Sequence, residues 1–228
     1  MDILKKIEQF RDEEEKLRWE GTFGDYLQLL KEKPWVAQSA HSRVYNMIKD
    51  AGVEVVNGKK KYSFFKGELF GLEEPLERLV EEYFHPAAKR LDVRKRILLL
   101  MGPVSGGKST LVTLLKRGLE KYSRTERGAI YAIKGCPMHE DPLHLIPTHL
   151  RNDFFDEYGI RVEGNLSPLN MMRLEKDYHN RIEDMPVERI FLSEDKRVGV
   201  GTFSPSDPKS QDIADLTGSI DFSTIATY

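Results

Sequence analysis

Residues 102–109 read Gly-Pro-Val-Ser-Gly-Gly-Lys-Ser, a complete G-x-x-x-x-G-K-[ST] loop. Each residue type has a task in holding phosphate. Gly102, Gly106 and Gly107 let the backbone curl where a Cβ would clash. Amide N–H groups from Ser105 to Lys108 converge as an anion nest. A helix starting near Lys108 adds its positive dipole end. Lys108 would reach the β- and γ-phosphates, and Ser109 would give a hydroxyl to Mg²⁺. Pro103, Val104 and Ser105 fill positions that the pattern leaves open, and Thr110 follows the hydroxyl. The loop predicts a site for ATP with Mg²⁺.

The loop needs a strand before it and a helix after it. Arg96–Met101 (RILLLM) is a short apolar run suited to a buried strand. Thr110–Tyr122 carries apolar residues at helical spacing. Further strands are expected at Gly128–Lys134, Val187–Leu192 and Val198–Phe203. Helices are expected at Pro147–Tyr158 and Pro168–Arg181. Strands alternating with helices predict an α/β fold of P-loop NTPase type, with a parallel sheet flanked by helices.

Upstream, residues 2–20 read as a helix with Ile3, Ile7, Phe10 and Leu17 on one face. Thr22 is placed to cap a second helix that runs to Lys33, before Pro34. A third covers Ser42–Asp50. Val53–Val56 and Lys61–Phe65 flank Asn57-Gly58 and predict a β-hairpin. Residues 1–65 are therefore expected to be a small, mostly helical appendage, and residues 66–228 the nucleotide-binding domain. Glu73–Arg90 reads as an amphipathic helix with Leu76, Leu79, Val80 and Tyr83 on its apolar side.

Composition narrows the function classes. The 228 residues carry a net charge of −2, which argues against a nucleic-acid partner. No apolar run approaches the ~18 residues of a membrane span, and the charged N-terminus lacks a signal-peptide core. The single cysteine, Cys136, excludes an internal disulfide and suits a reducing cytoplasm.

Other clusters compete for a role. Cys136, His139, His144 and His149, with Glu140 and Asp141, hold metal-ligating types, but C-x2-H-x4-H-x4-H matches no standard zinc pattern. Prolines 137, 142 and 147 stiffen that stretch, which reads as a contact loop or a structural loop. Lys89, Arg90, Arg94, Lys95 and Arg96 form a basic cluster, either a solvated connection or a polyanion contact. Ile190–Asp195 (IFLSED) is a poor Walker B strand, so Glu194 and Asp195 read better as a strand end at a turn. Ser204, Ser206 and Ser210 lie in a turn-rich stretch that reads as surface loop.

Several segments name a family. WEGTFGDYL (19–27), AHSRVYNMI (40–48), FGLE (70–73), GPVSGGKST (102–110), KGCPMHEDPLHLIP (134–147) and GTFSPSDPKSQDIADLTGSIDFS (201–223) resemble PrkA-type bacterial serine protein kinases. The resemblance covers essentially the whole chain. It implies an N-terminal AAA+ half that binds Mg-ATP, followed by a half assigned to kinase activity on a serine-containing protein substrate in the cytoplasm. The chain accordingly reads as the N-terminal portion. Nothing in it reads H-R-D or D-F-G. Asp215–Phe222 resembles the segment before Walker B, which places the Walker B acids beyond Tyr228. Ser105 stands where relatives are expected to carry Gly. AAA+ kinship further implies that Phe70, Gly71 and Leu72 form the adenine pocket and that the protein assembles into homo-oligomeric rings. An ATPase driving protein remodelling or proteolysis, or a scaffold that only binds ATP, remains the alternative.

Overall fold

In this computed structural model residues 3–203 are described. The N-terminal elements form where local chemistry asks for them. α1 spans Ile3–Leu17, and β1 spans Glu20–Thr22. α2 (Phe23–Glu32) starts at a full capping box: Thr22 Oγ1 accepts from the Asp25 N–H, and the Asp25 carboxylate accepts from the Thr22 N–H at 2.8 Å. α3 (Ala40–Asp50) is capped by Ser39. β2 (Val53–Val56) and β3 (Lys59–Tyr62) make a hairpin with Asn57 at φ 54° and Gly58 at φ 78°, the left-handed pair of a tight turn. Its second strand begins directly after that turn and stops at Tyr62, so the expected Lys61–Phe65 strand gives way to a 3-10 turn over Ser63–Phe65.

The next helix begins as α4 (Glu73–Arg78), widens into a π turn over Leu79–Phe84 and ends as α5 (His85–Ala88). Pro86 favours the widening without imposing it, since it has no N–H to give to the carbonyl four residues back and its ring crowds that carbonyl. α6 (Lys108–Ser123) follows the glycine loop. β4 (Ile130–Ile133), α7 (Arg151–Tyr158), α8 (Pro168–Lys176) and β5 (Pro186–Ile190) complete the described chain.

The chain is a mixed helix-and-strand fold, but its sheet differs from expectation. The three-stranded sheet has the order β1-β5-β4, and both pairings are antiparallel. The reason is connectivity: the excursion between Lys134 and Met185 leaves and returns at the same end of β4. There the Lys134 N–H donates to the Pro186 carbonyl at 2.8 Å. Residues 96–101 form no strand among the described residues. Ile97 is 94% and Leu99 74% exposed, and no described strand lies beside this segment to pair its backbone. Val198 makes only an isolated bridge to Ser193. The 204–228 stretch, with its serines and Asp215–Phe222, lies outside the described residues.

Two cores hold these elements. One joins Phe23, Tyr26 and Leu30 of α2 to Ile133, Leu143, Phe154, Met185 and Val187. Phe23, Tyr26, Leu30 and Val36, from the stretch expected to be an appendage, thus share a core with the later chain, because β1 pairs with β5 and α2 packs on it. Truncating Phe23 would cost about 3–5 kcal/mol. The second core packs α3, the hairpin and the π turn (Val80, Phe84) on Leu111 and Tyr122 of α6. Gly118 permits that approach: a Cβ there would meet Phe64 at 2.6 Å and Met47 at 2.8 Å. The buried Arg43 ties the cores together by donating to the Gly128 and Ala129 carbonyls, each at 2.9 Å. No described helix is long and apolar enough to cross a membrane.

Candidate functional site

The glycine loop turns sharply into α6. Ser105 at φ 63° and Gly107 at φ 77° adopt left-handed backbone, and the Leu111 N–H closes the first helical turn on the Gly107 carbonyl at 2.8 Å. The Lys108 ammonium folds back over the loop and donates to the carbonyls of Gly102 (2.9 Å) and Pro103 (2.6 Å). Ser109 and Thr110 are exposed on the first turn of α6, and Val104 is 94% exposed at the loop tip. The glycines are needed where they stand. A Cβ on Gly106 would lie 3.0 Å from the Pro103 carbonyl, and one on Gly107 3.0 Å from Leu69 and 3.2 Å from Leu72.

Beside the loop opens a cleft of about 840 Å³, bounded by Gly102, Pro103, Gly106, Gly107 and Lys108 at one end. Its walls are largely apolar: Leu69, Leu72, Leu76, Leu79, Tyr83 and Leu111. An apolar wall beside a phosphate cradle is the chemistry of a nucleotide site, with a base against carbon and an anion against N–H and ammonium. Of the three expected base-pocket residues, only Leu72 lines this cleft. Phe70 is 79% exposed and borders a separate hollow of about 330 Å³ against the hairpin. Gly71, at φ 70°, lines neither. Leu76, Leu79 and Tyr83 were visible in the sequence as one helix face. What that face packs against was not.

The Cys136–His149 stretch is a bonded scaffold. Glu140, 8% exposed, accepts from Ser167 N–H (2.7 Å), Ser167 Oγ (2.6 Å) and Asn170 Nδ2 (2.6 Å), and its Oε1 lies 3.0 Å from His144 Nδ1. Burial pushes the Glu140 carboxyl up, but these hydrogen bonds outweigh it and hold it below the usual range. The other His144 ring nitrogen lies 2.8 Å from the Glu163 carbonyl. Asp141 caps the turn after it through the Leu143 N–H at 2.9 Å, and Cys136 is buried in the first core. Among the described residues, no group of three or more His, Cys, Asp or Glu side chains gathers to hold a metal ion.

The basic cluster is partly consumed as well. Arg94 meets the Glu163 carboxylate at 2.7 Å and Arg90 at 3.3 Å, and Arg90 also donates to the Arg161 carbonyl. Glu194 pairs with Lys116 and Thr202, and its own N–H donates to Glu120 at 2.7 Å. Lys116 is seven residues along α6 from Ser109, roughly 10 Å of helix rise. Glu194 therefore sits well down the helix from the loop.

A family model described as the PrkA AAA domain matches residues 21–228. The ATP-dependent protease PrkA of Bacillus subtilis (strain 168) is 79% identical over all 228 residues, which span 36% of that protein. The serine/threonine kinase YeaG of Escherichia coli (strain K12) is 31% identical over 176 residues, 74% of this chain and 26% of that protein. No solved structure matches. The chain spans about a third of the length of the B. subtilis relative and about a quarter of that of the E. coli relative, and it belongs to the PrkA AAA domain family.

Proposed function

We propose that this chain is the Mg-ATP-binding module of a larger cytoplasmic enzyme. The observation that carries the reading is the placement of Lys108: its ammonium sits over the glycine loop, bonded among the described residues to two backbone carbonyls, beside an apolar cleft. An arriving phosphate offers that ammonium a charged acceptor in place of neutral ones, a stronger bond. Gly102–Thr110 would cradle the phosphates, and Leu72 with Leu69, Leu76, Leu79 and Tyr83 would hold the base. The cradle fits the group: Lys108 lies on the loop beside the exposed hydroxyls of Ser109 and Thr110, and Gly106 and Gly107 permit a tight turn that a Cβ would obstruct. Ser109 would be the chain's own ligand to Mg²⁺, which when bound neutralises phosphate charge.

The reaction that this module serves has two readings. The resemblance to PrkA-type kinases, and the kinase name of the E. coli relative, support phosphoryl transfer to serine of a protein substrate. The name of the B. subtilis relative, at much higher identity, supports the alternative, ATP-driven proteolysis. AAA kinship supports assembly of several copies. Incubating full-length protein with radiolabelled ATP and casein separates the readings. Label on serine supports the kinase; ATP-dependent casein fragments without label support the protease.

A further inference from the structure

The π turn at Leu79–Phe84 touches two places at once. Leu79, Glu82 and Tyr83 line the nucleotide cleft. Tyr83 Oη also donates to the Arg96 carbonyl at 3.0 Å, in the segment that leads to the glycine loop. Between them in sequence, Glu81 faces the other way, toward the hairpin. Its Oε1 accepts from Lys60 Nζ at 2.8 Å and from Tyr62 Oη at 2.5 Å, and its Oε2 lies 3.4 Å from His85 Nδ1. His85 in turn stacks on Tyr45 with ring centroids 5.0 Å apart. Burial opposes the Glu81 carboxylate, yet the hydrogen bonds from Lys60 and Tyr62 outweigh it and hold it low.

The turn is wide because the His85 N–H reaches back five residues, to the Val80 carbonyl. A π turn holds more residues than an α turn, so rewinding it rotates every side chain on one side of the change relative to the other. Leu79 and Tyr83 would then turn relative to the cleft as Glu81 turns relative to the hairpin. Short π segments are common at functional sites for this reason.

We propose that this π turn is a relay that couples nucleotide in the cleft to the β2–β3 hairpin through Glu81. The proposal rests on the nucleotide reading above. A base seated against Leu79 and Tyr83 favours one winding of the turn, and differential affinity is all that a ligand needs to shift such an equilibrium. The shift is read out where Glu81 grips Lys60 and Tyr62. The hairpin offers a surface on which it shows: Val53, Val55 and Val56 are all exposed, Val55 at 68%.

The test is amide hydrogen exchange on the whole chain, with and without a non-hydrolysable Mg-ATP analogue. In wild type, exchange at residues 79–85 and at the hairpin amides (53–62) changes together, by at least about fivefold, the lower end of ordinary coupling. Glu81→Gln keeps the response of 79–85 and loses that of the hairpin. Tyr62→Phe, which keeps the ring and removes one bond to Glu81, weakens the hairpin response and guards against a folding defect in the first variant. Binding with a silent hairpin in wild type, or an undiminished hairpin response in both variants, overturns the relay and leaves the nucleotide reading standing. Absence of analogue binding to wild type overturns both.

Discussion

Two loops of this chain look alike on paper and behave oppositely in the fold. Residues 102–109 and 134–147 each follow an apolar stretch, are rich in Gly or Pro, and carry residues able to do chemistry. In the second, the buried Glu140 is saturated by Ser167, Asn170 and His144, and Cys136 lies in the core. In the first, Lys108 is held among the described residues by backbone carbonyls alone, and Ser109 and Thr110 stay exposed. A loop that satisfies its own polar groups is a scaffold. The first loop holds its cation on its own backbone carbonyls at the edge of a cleft, where a ligand can compete for it.

The sharpest way to break this contrast is at Glu140. Glu140→Ala strands the buried Asn170 amide and the part-buried Ser167 donors and should destabilise the fold by about 3 kcal/mol in urea unfolding. Wherever the variant is still folded, its nucleotide affinity should match wild type. A small stability loss with a large affinity loss would reverse the roles of the two loops.

The cleft wall supplies the next test. Leu72→Ala should weaken binding of an ATP analogue by about ten-fold, from the loss of roughly 1.5 kcal/mol of apolar contact. Phe70→Ala should leave it unchanged, because Phe70 borders the other hollow. Equal effects in a fluorescence titration would merge the two cavities into one site.

Acid sharpens the Glu140 account. Its carboxyl is held below the usual range in the fold. The stabilisation is therefore complete above the unfolded value of about 4.3 and is lost as pH falls through the lower folded value. Wild type should lose stability over that acid window by more than Glu140→Gln does, measured by thermal melting at stepped pH. Parallel losses would remove Glu140 as the cause.

The smallest expected effect is at Glu194. Its carboxylate pairs with Lys116, far along α6 from Ser109. Glu194→Gln should leave both nucleotide affinity and any phosphate release within about twofold of wild type, as ordinary surface substitutions do. A collapse of phosphate release would make Glu194 part of the site.

The sequence disclosed what local chemistry decides. Thr22 announces the cap of α2, Asn57-Gly58 its hairpin, and the G-x-x-x-x-G-K-[ST] spacing its turn into α6. It did not disclose what depends on distant partners. An apolar run such as Ile97–Met101 reads as a buried strand, yet a strand exists only where another pairs with it. Alternating elements suggest parallel pairing, but the path from Lys134 to Met185 returns to the end of the sheet that it left. The wall of the cleft was legible as a helix face with Leu76, Leu79 and Tyr83. The Pro86-linked π turn that aims part of that face at the loop was not.

In the proposed function, Gly102–Ser109 holds the phosphates of a nucleotide through Lys108. Titrating Mg-ATP calorimetrically into wild type and Lys108→Ala tests it most directly. Losing a charge-assisted hydrogen bond of about 1.5–3 kcal/mol should weaken binding about ten- to a hundred-fold while the urea midpoint stays put. Equal affinities for the two proteins would contradict the account.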